Sequence, residues 1–187
     1  QLVMKGEIYF LSRPSRFGKS LLVSTLKAYF QGRKELFKGL AIDELETEWV
    51  EHPVFHISFG GENFIEQGAL ESKITTALNK WEELYGKSPN ATTFGGRFLY
   101  TLQAAHQKTG KRVVVLVDEY DKPLLDVLDT GYSTKIEGQE RLLEEHHRNI
   151  LKGLYSVFKE ADANLQFVLL TGVTKFSQVS VFSGFNQ

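Results

Sequence analysis

Three consecutive residues, Gly18-Lys19-Ser20, have the backbone and side chains to hold a phosphate chain. Backbone N–H groups around Gly18 and at the start of a following helix offer unpaired donors and a positive dipole end. Gly18 lets the backbone approach closely, Lys19 can reach β- and γ-phosphates, and the Ser20 hydroxyl can ligate Mg²⁺. The pattern G-x-x-x-x-G-K-[ST] asks for a glycine at position 13, where Arg13 stands. The tripeptide therefore also fits a plain helix N-terminus, capped by Ser15 and with Lys19 exposed. Arg13 and Arg16 flank the loop with guanidinium groups that favour an anionic ligand.

A second group of residues could supply the partner chemistry. Val113 to Val117 is an uninterrupted apolar run that ends in Asp118-Glu119-Tyr120-Asp121. Acids at the carboxyl end of a central parallel strand sit where open α/β sheets bind ligands. They are costly to bury unless they face a metal or a cation. Asp118 would hold Mg²⁺, through water, and Glu119 would orient or deprotonate an attacking water as general base. Asp121 and Lys122 read as turn and helix-start residues, and Pro123 suits the first turn of a helix. A third strand end, Leu170-Thr171-Gly172, carries a hydroxyl. Thr171 either reads a γ-phosphate or the attacking water, or caps the strand. Lys175 either leans toward the same place or is an exposed loop lysine.

These groups need strands and helices to bring them together. Four apolar, β-rich runs stand out: Ile8–Leu11, Val54–Phe59, Val113–Val117 and Phe167–Leu170. The last two are continuous rather than alternating, as in strands buried on both faces of a parallel sheet. Helical spacing joins Leu22, Leu26 and Tyr29, then Leu70, Ile74, Ala77, Leu78, Trp81 and Leu84. A third helix runs from about Phe94 to Gln107 and stops near Gly110. A fourth presents Leu143, Ile150, Leu151, Leu154 and Phe158, with Arg141 and Arg148 also placed on it. Segments 86–93 and 130–138 read as loops, the second as either a lid or a surface connection. Strands alternating with helices give an α/β fold with a parallel sheet in a single domain, residues 1–187.

Composition narrows the function classes. Net charge is -1, from 22 Lys+Arg against 23 Asp+Glu, which excludes a strongly basic nucleic-acid coat and an acidic tail. Hydrophobic residues at 42% exclude intrinsic disorder. With no cysteine there is no disulfide, thiolate zinc site or cysteine nucleophile. No apolar run approaches the roughly 20 residues that span a bilayer, so the expectation is a soluble, cytoplasmic piece of a longer protein with no membrane partner. His52, His56, His106, His146 and His147 form no ligand set, since adjacent helical residues such as His146 and His147 point about 100° apart. Gly60-Gly61 reads as a turn or as a close approach to a ligand. Arg141 and Arg148 are either surface ion pairs with neighbouring glutamates or arginine fingers toward a neighbouring subunit.

Taken together, these residues resemble the AAA-ATPase-like domains found mainly in bacteria, often joined to a C-terminal PD-(D/E)XK-type nuclease domain. The likeness rests on Tyr9-Phe10-Leu11-Ser12-Arg13-Pro14, Arg16-Phe17-Gly18-Lys19-Ser20-Leu21-Leu22, Asp118-Glu119-Tyr120-Asp121-Lys122-Pro123, Leu170-Thr171-Gly172-Val173-Thr174-Lys175-Phe176-Ser177 and Phe182-Ser183-Gly184-Phe185-Asn186. The family's own loop lacks the first glycine, whereas Ser15 stands where the family typically has arginine. The resemblance implies a P-loop NTPase three-layer sandwich with a mainly parallel sheet in the additional-strand (AAA/ASCE-like) order, truncated at both ends. Phe167–Leu170 would lie between Ile8–Leu11 and Val113–Val117. It implies an Mg²⁺-dependent ATPase, or alternatively a nucleotide-binding switch with little hydrolysis that serves an effector outside the chain. In that reading Arg13, Pro14, Ser15, Arg16, Phe17, Gly18, Lys19, Ser20 and Leu21 hold ATP as the Walker A loop. Ser20 and the Walker B residue Asp118 hold Mg²⁺, and Glu119, Lys19 and Thr171 are catalytic. The nuclease-like domain would be the partner, nucleic acid would be met only indirectly, and self-association is open to it.

Overall fold

The computed structural model describes residues 8–12, 14 and 18–174. The first strand, β1 (Ile8–Ser12), precedes α1 (Lys19–Phe30). A 3-10 turn (Lys34–Phe37) and a short α2 (Ala41–Leu45) bring the chain to β2 (Val54–Ser58). Two long helices, α3 (Ala69–Tyr85) and α4 (Phe94–Thr109), lead to β3 (Val113–Asp118) and the single turn α5 (Lys122–Leu125). A hairpin of β4 (Ser133–Ile136) and β5 (Gln139–Leu142) comes before α6 (Leu143–Tyr155). Then α7 (Val157–Glu160) and a 3-10 turn (Asp162–Asn164) reach β6 (Leu165–Gly172).

Among the described residues the main sheet has four strands in the order β1-β6-β3-β2, with every neighbouring pair parallel. So β6, the last described strand, lies between β1 and the acidic strand β3. All six residues of β3 are buried, because helices cover both faces. Val113, Val115 and Val117 pack with α3, α4 and α6, while Val114 and Leu116 pack with Val23 and Phe30 of α1. That is the period of two expected of a strand. It explains why a strand enclosed on both sides reads as continuous valine and leucine.

The long helices follow their apolar spacing. In α3, Leu70, Ile74, Leu78 and Trp81 are buried, and Trp81 stacks on Phe55 of β2 at 4.7 Å. The α4 helix starts where the Thr93 hydroxyl accepts from Gly96 N at 3.1 Å and ends at Gly110, whose φ is +68°. That value lies in the left-handed region that only glycine enters cheaply.

Several expectations need correction. Segment 130–138 is not simply a loop: it holds β4 and the turn of a hairpin, and Glu137 and Gly138 both have positive φ (51° and 79°). Two such residues make the primed two-residue turn whose twist matches antiparallel strands. Arg141 belongs to β5 rather than to a helix. The fourth apolar face is divided, with Phe158 on α7 rather than α6. Leu84 faces solvent instead of the core.

Candidate functional site

Gly18 has φ +74° and serves as the N-cap of α1, so Lys19 and Ser20 form its first turn. Among the described residues no side chain caps this helix start. Lys19 is not exposed: it is 6% accessible, and its Nζ donates to the Gly172 carbonyl at 3.3 Å. Ser20 Oγ donates to Asp118 Oδ2 at 3.3 Å, across 98 residues of sequence. Pro14 and Leu21 are exposed. Arg13, Ser15, Arg16, Phe17 and Lys175 lie outside the described residues.

Asp118, 7% accessible, ends β3 and takes a second hydrogen bond on Oδ1 from the hydroxyl of Thr171. Thr171 is fully buried on β6, and its hydroxyl oxygen also accepts from Glu119 N at 3.3 Å. Parallel pairing makes this possible: β3 and β6 end on the same side of the sheet, and the start of α1 lies beside them. Lys19, Ser20, Asp118, Glu119 and Thr171 thus meet in one place.

Glu119 has φ +55°, an uncommon conformation for a residue with a side chain. Its carboxylate rests on the backbone of Gly60, just past β2; a Cβ at Gly60 would lie 2.9 Å from Oε2. The close approach considered for Gly60 is therefore to Glu119, within the turn at 60–61.

Asp121 does more than start a helix. It is 1% accessible, and its Oδ2 accepts from Val173 N at 3.0 Å, Thr174 N at 2.8 Å and Thr174 Oγ1 at 2.6 Å. One carboxylate thereby fixes the chain leaving β6 to the chain leaving β3. Behind it, the Tyr155 hydroxyl donates to Tyr120 O at 3.2 Å, and burial pushes that phenol well above its usual range. No local pattern marks Asp121 for this role, because its partners are 52 and 53 residues away.

His146 and His147 are held by different partners. His146 pairs with Glu71 at 2.5 Å, while the buried His147 meets Pro123 O through Nδ1 at 2.9 Å. Burial lowers the basicity of His147. Among the described residues no three His, Asp or Glu side chains group as a metal site. Arg148 is held by Glu144 at 3.0 Å, one helical turn away. No helix among the described residues is long and apolar enough to cross a membrane.

The arrangement is that of an α/β domain whose parallel strands and first helix bring carboxylate, hydroxyl and ammonium groups to one end of the sheet. The chain belongs to the AAA-ATPase-like family, described as predicted AAA-ATPases, whose model matches residues 1–182. It is similar to a protein of Azotobacter chroococcum mcd 1 named "Uncharacterized protein in vnfD 5'region", at 44% identity over 187 residues. That match covers 100% of this chain and 34% of the relative, so the chain spans about a third of its length. No solved structure matches the chain.

Proposed function

We propose that this domain binds ATP with Mg²⁺ and hydrolyses it. One observation carries the reading: Ser20 at the start of α1 and Thr171 on β6 both hydrogen bond to Asp118 at the end of β3. Three elements remote in sequence converge on one carboxylate at the site where α/β sheets take ligands. In this reading the segment Arg13 to Leu21 wraps the phosphates, and the amides of the first turn of α1 face them. Lys19 leaves its single bond to the Gly172 carbonyl for the β- and γ-phosphates.

The donor set suits Mg²⁺, a hard cation that keeps several waters and takes few protein ligands besides phosphate oxygens. A hydroxyl and a carboxylate, Ser20 and Asp118, stand close enough to share it. When bound, the ion neutralises charge on the transferred phosphoryl group. Glu119 is the general base, and Thr171 positions Asp118 while its hydroxyl oxygen orders the Glu119 backbone.

Glu119→Gln is expected to keep ATP binding and to lose at least a hundredfold in hydrolysis, about the share a general base supplies. Lys19→Ala should lose binding itself. Phosphate release and nucleotide binding measured on both variants check this; equal turnover in Glu119→Gln and the parent removes Glu119 from catalysis. A slow nucleotide switch is the second reading, favoured because Arg148 is tied to Glu144 and the Glu119 carboxylate lies on Gly60. Turnover that stays below one per minutes at every protein concentration selects it. In either reading we assign the effector, a nuclease-like domain acting on nucleic acid in the cytoplasm, to the longer protein, with self-association as a route to an arginine finger.

A further inference from the structure

At the outer edge of the sheet a cavity of about 340 Å³ lies beside β2, the terminal strand. Lys27 comes from α1, Arg33 from the turn after it, and Lys80 from α3, so three elements each deliver a cation. Glu51 is the single carboxylate among the described lining residues. Among the described residues neither Lys27 nor Lys80 forms an ion pair, and Arg33 uses only Nε, on Glu35 at 3.3 Å.

Two histidines line the same cavity. Burial lowers the basicity of His56, the charges of Lys27 and Lys80 lower it further, and Asp118 opposes them. His56 Nε2 is shut off from solvent and has no hydrogen-bond partner. His52 is lowered by burial and by Lys111 and Arg112, against the support of its 2.8 Å bond to Arg112 O. Cations gathered with two imidazoles of lowered basicity around one open cleft leave a local excess of positive charge that an anion would relieve. One wall is different: Trp81, Leu84 and Tyr85 present an apolar surface.

We propose that this cavity is an anion site for a phosphate monoester, the phosphate taken by Lys27, Arg33 and Lys80 and the organic body laid against Trp81, Leu84 and Tyr85. The volume falls in the range of small-molecule sites, about 300–1,000 Å³. Lys27 lies eight residues beyond Lys19 on α1, about 12 Å along the axis. The site is therefore separate from the strand ends and does not depend on the ATPase reading.

The test follows the His52 and His56 ring resonances by NMR in the whole chain as inorganic phosphate, then phenyl phosphate, is added. Saturable shifts are expected in the parent and in Lys19→Ala. In Lys27→Gln and Lys80→Gln, surface changes whose folding a thermal melt checks, affinity should fall about tenfold each, as losing one charge-assisted hydrogen bond implies. Tighter binding of phenyl phosphate would assign the apolar wall to the ligand body; equal binding would assign the site to free phosphate. Shifts that are absent, do not saturate, or are unchanged in the lysine variants overturn the proposal. So do shifts that vanish in Lys19→Ala, because His56 feels the charge of Asp118 and would then be reporting on the strand ends.

Discussion

Gly172 has no room for a side chain. A Cβ there would lie 2.6 Å from Asp121 Oδ1 and 2.6 Å from Tyr120 Cε1, far inside any van der Waals contact. Asp121 cannot step aside freely, since its other oxygen holds three donors from Val173 and Thr174. Gly172→Ala should therefore cost about 1–3 kcal/mol, the range for overpacking a filled site. Urea unfolding with an unchanged m-value measures it, and parental stability would mean that the ends of β3 and β6 are not locked together. At this scale the sequence is uneven as a guide. Gly18, Lys19 and Ser20 are legible because their chemistry is written in three adjacent letters. Asp121 and Gly60 are not, because what each touches comes from a remote strand end.

Pairing between elements has its clearest case in α3 and α4. Arg97 donates to both oxygens of Glu82, at 2.6 and 3.1 Å, and to Asn79 Oδ1 at 2.9 Å. The side chains are only 4% (Glu82) and 14% (Arg97) accessible, so solvent screens the pair little. The Arg97 hydrogen bond holds the Glu82 carboxyl below its ordinary range, with burial opposing. A depressed carboxylate stabilises the fold fully above its unfolded value of about 4.3, and that contribution is lost as pH falls through the folded value. Arg97→Ala should cost about 3 kcal/mol at neutral pH, the low end for orphaning one member of a buried pair. The deficit should shrink at an acid pH below the lowered folded value of Glu82, where its carboxyl is protonated. Denaturation at both pH values checks this, and a pH-independent deficit would trace the loss to packing alone. Elements with a strong apolar pattern, periodic in α3 and continuous in β3, are legible in the sequence because burial selects their residues. The β4–β5 hairpin escapes that reading: β5 is exposed throughout, and its one local signal is Gly138 in the turn.

For the whole molecule, parallel pairing decides what a ligand can do. The strands of the main sheet end on one side, so the sequence order of the motifs gives way to a spatial cluster joining α1, β3 and β6. This was legible from the continuous apolar strands and the polar residues just past them, since such strands belong inside parallel sheets. The hydrogen bonds that tie Thr171 to Asp118 and Asp121 to Thr174 were not, because register is set by the folded pairing. A nucleotide held by all three elements acts on global unfolding rather than on local fraying. With ligand at 100 times its dissociation constant, the native state gains about 2.7 kcal/mol. In a domain of this size the melting temperature should rise by roughly 5–11 °C. ATP with Mg²⁺ should give that shift, and Lys19→Ala should abolish it without lowering the melting point of the unliganded protein by a comparable amount. Because, among the described residues, the Lys19 ammonium holds only a 3.3 Å bond to one carbonyl, its removal costs the unliganded fold little. A shift that persists in Lys19→Ala would move the nucleotide away from the strand ends. No shift with ATP, ADP or GTP would leave the cluster at Asp118 a device that locks β6 to β3 rather than a ligand site.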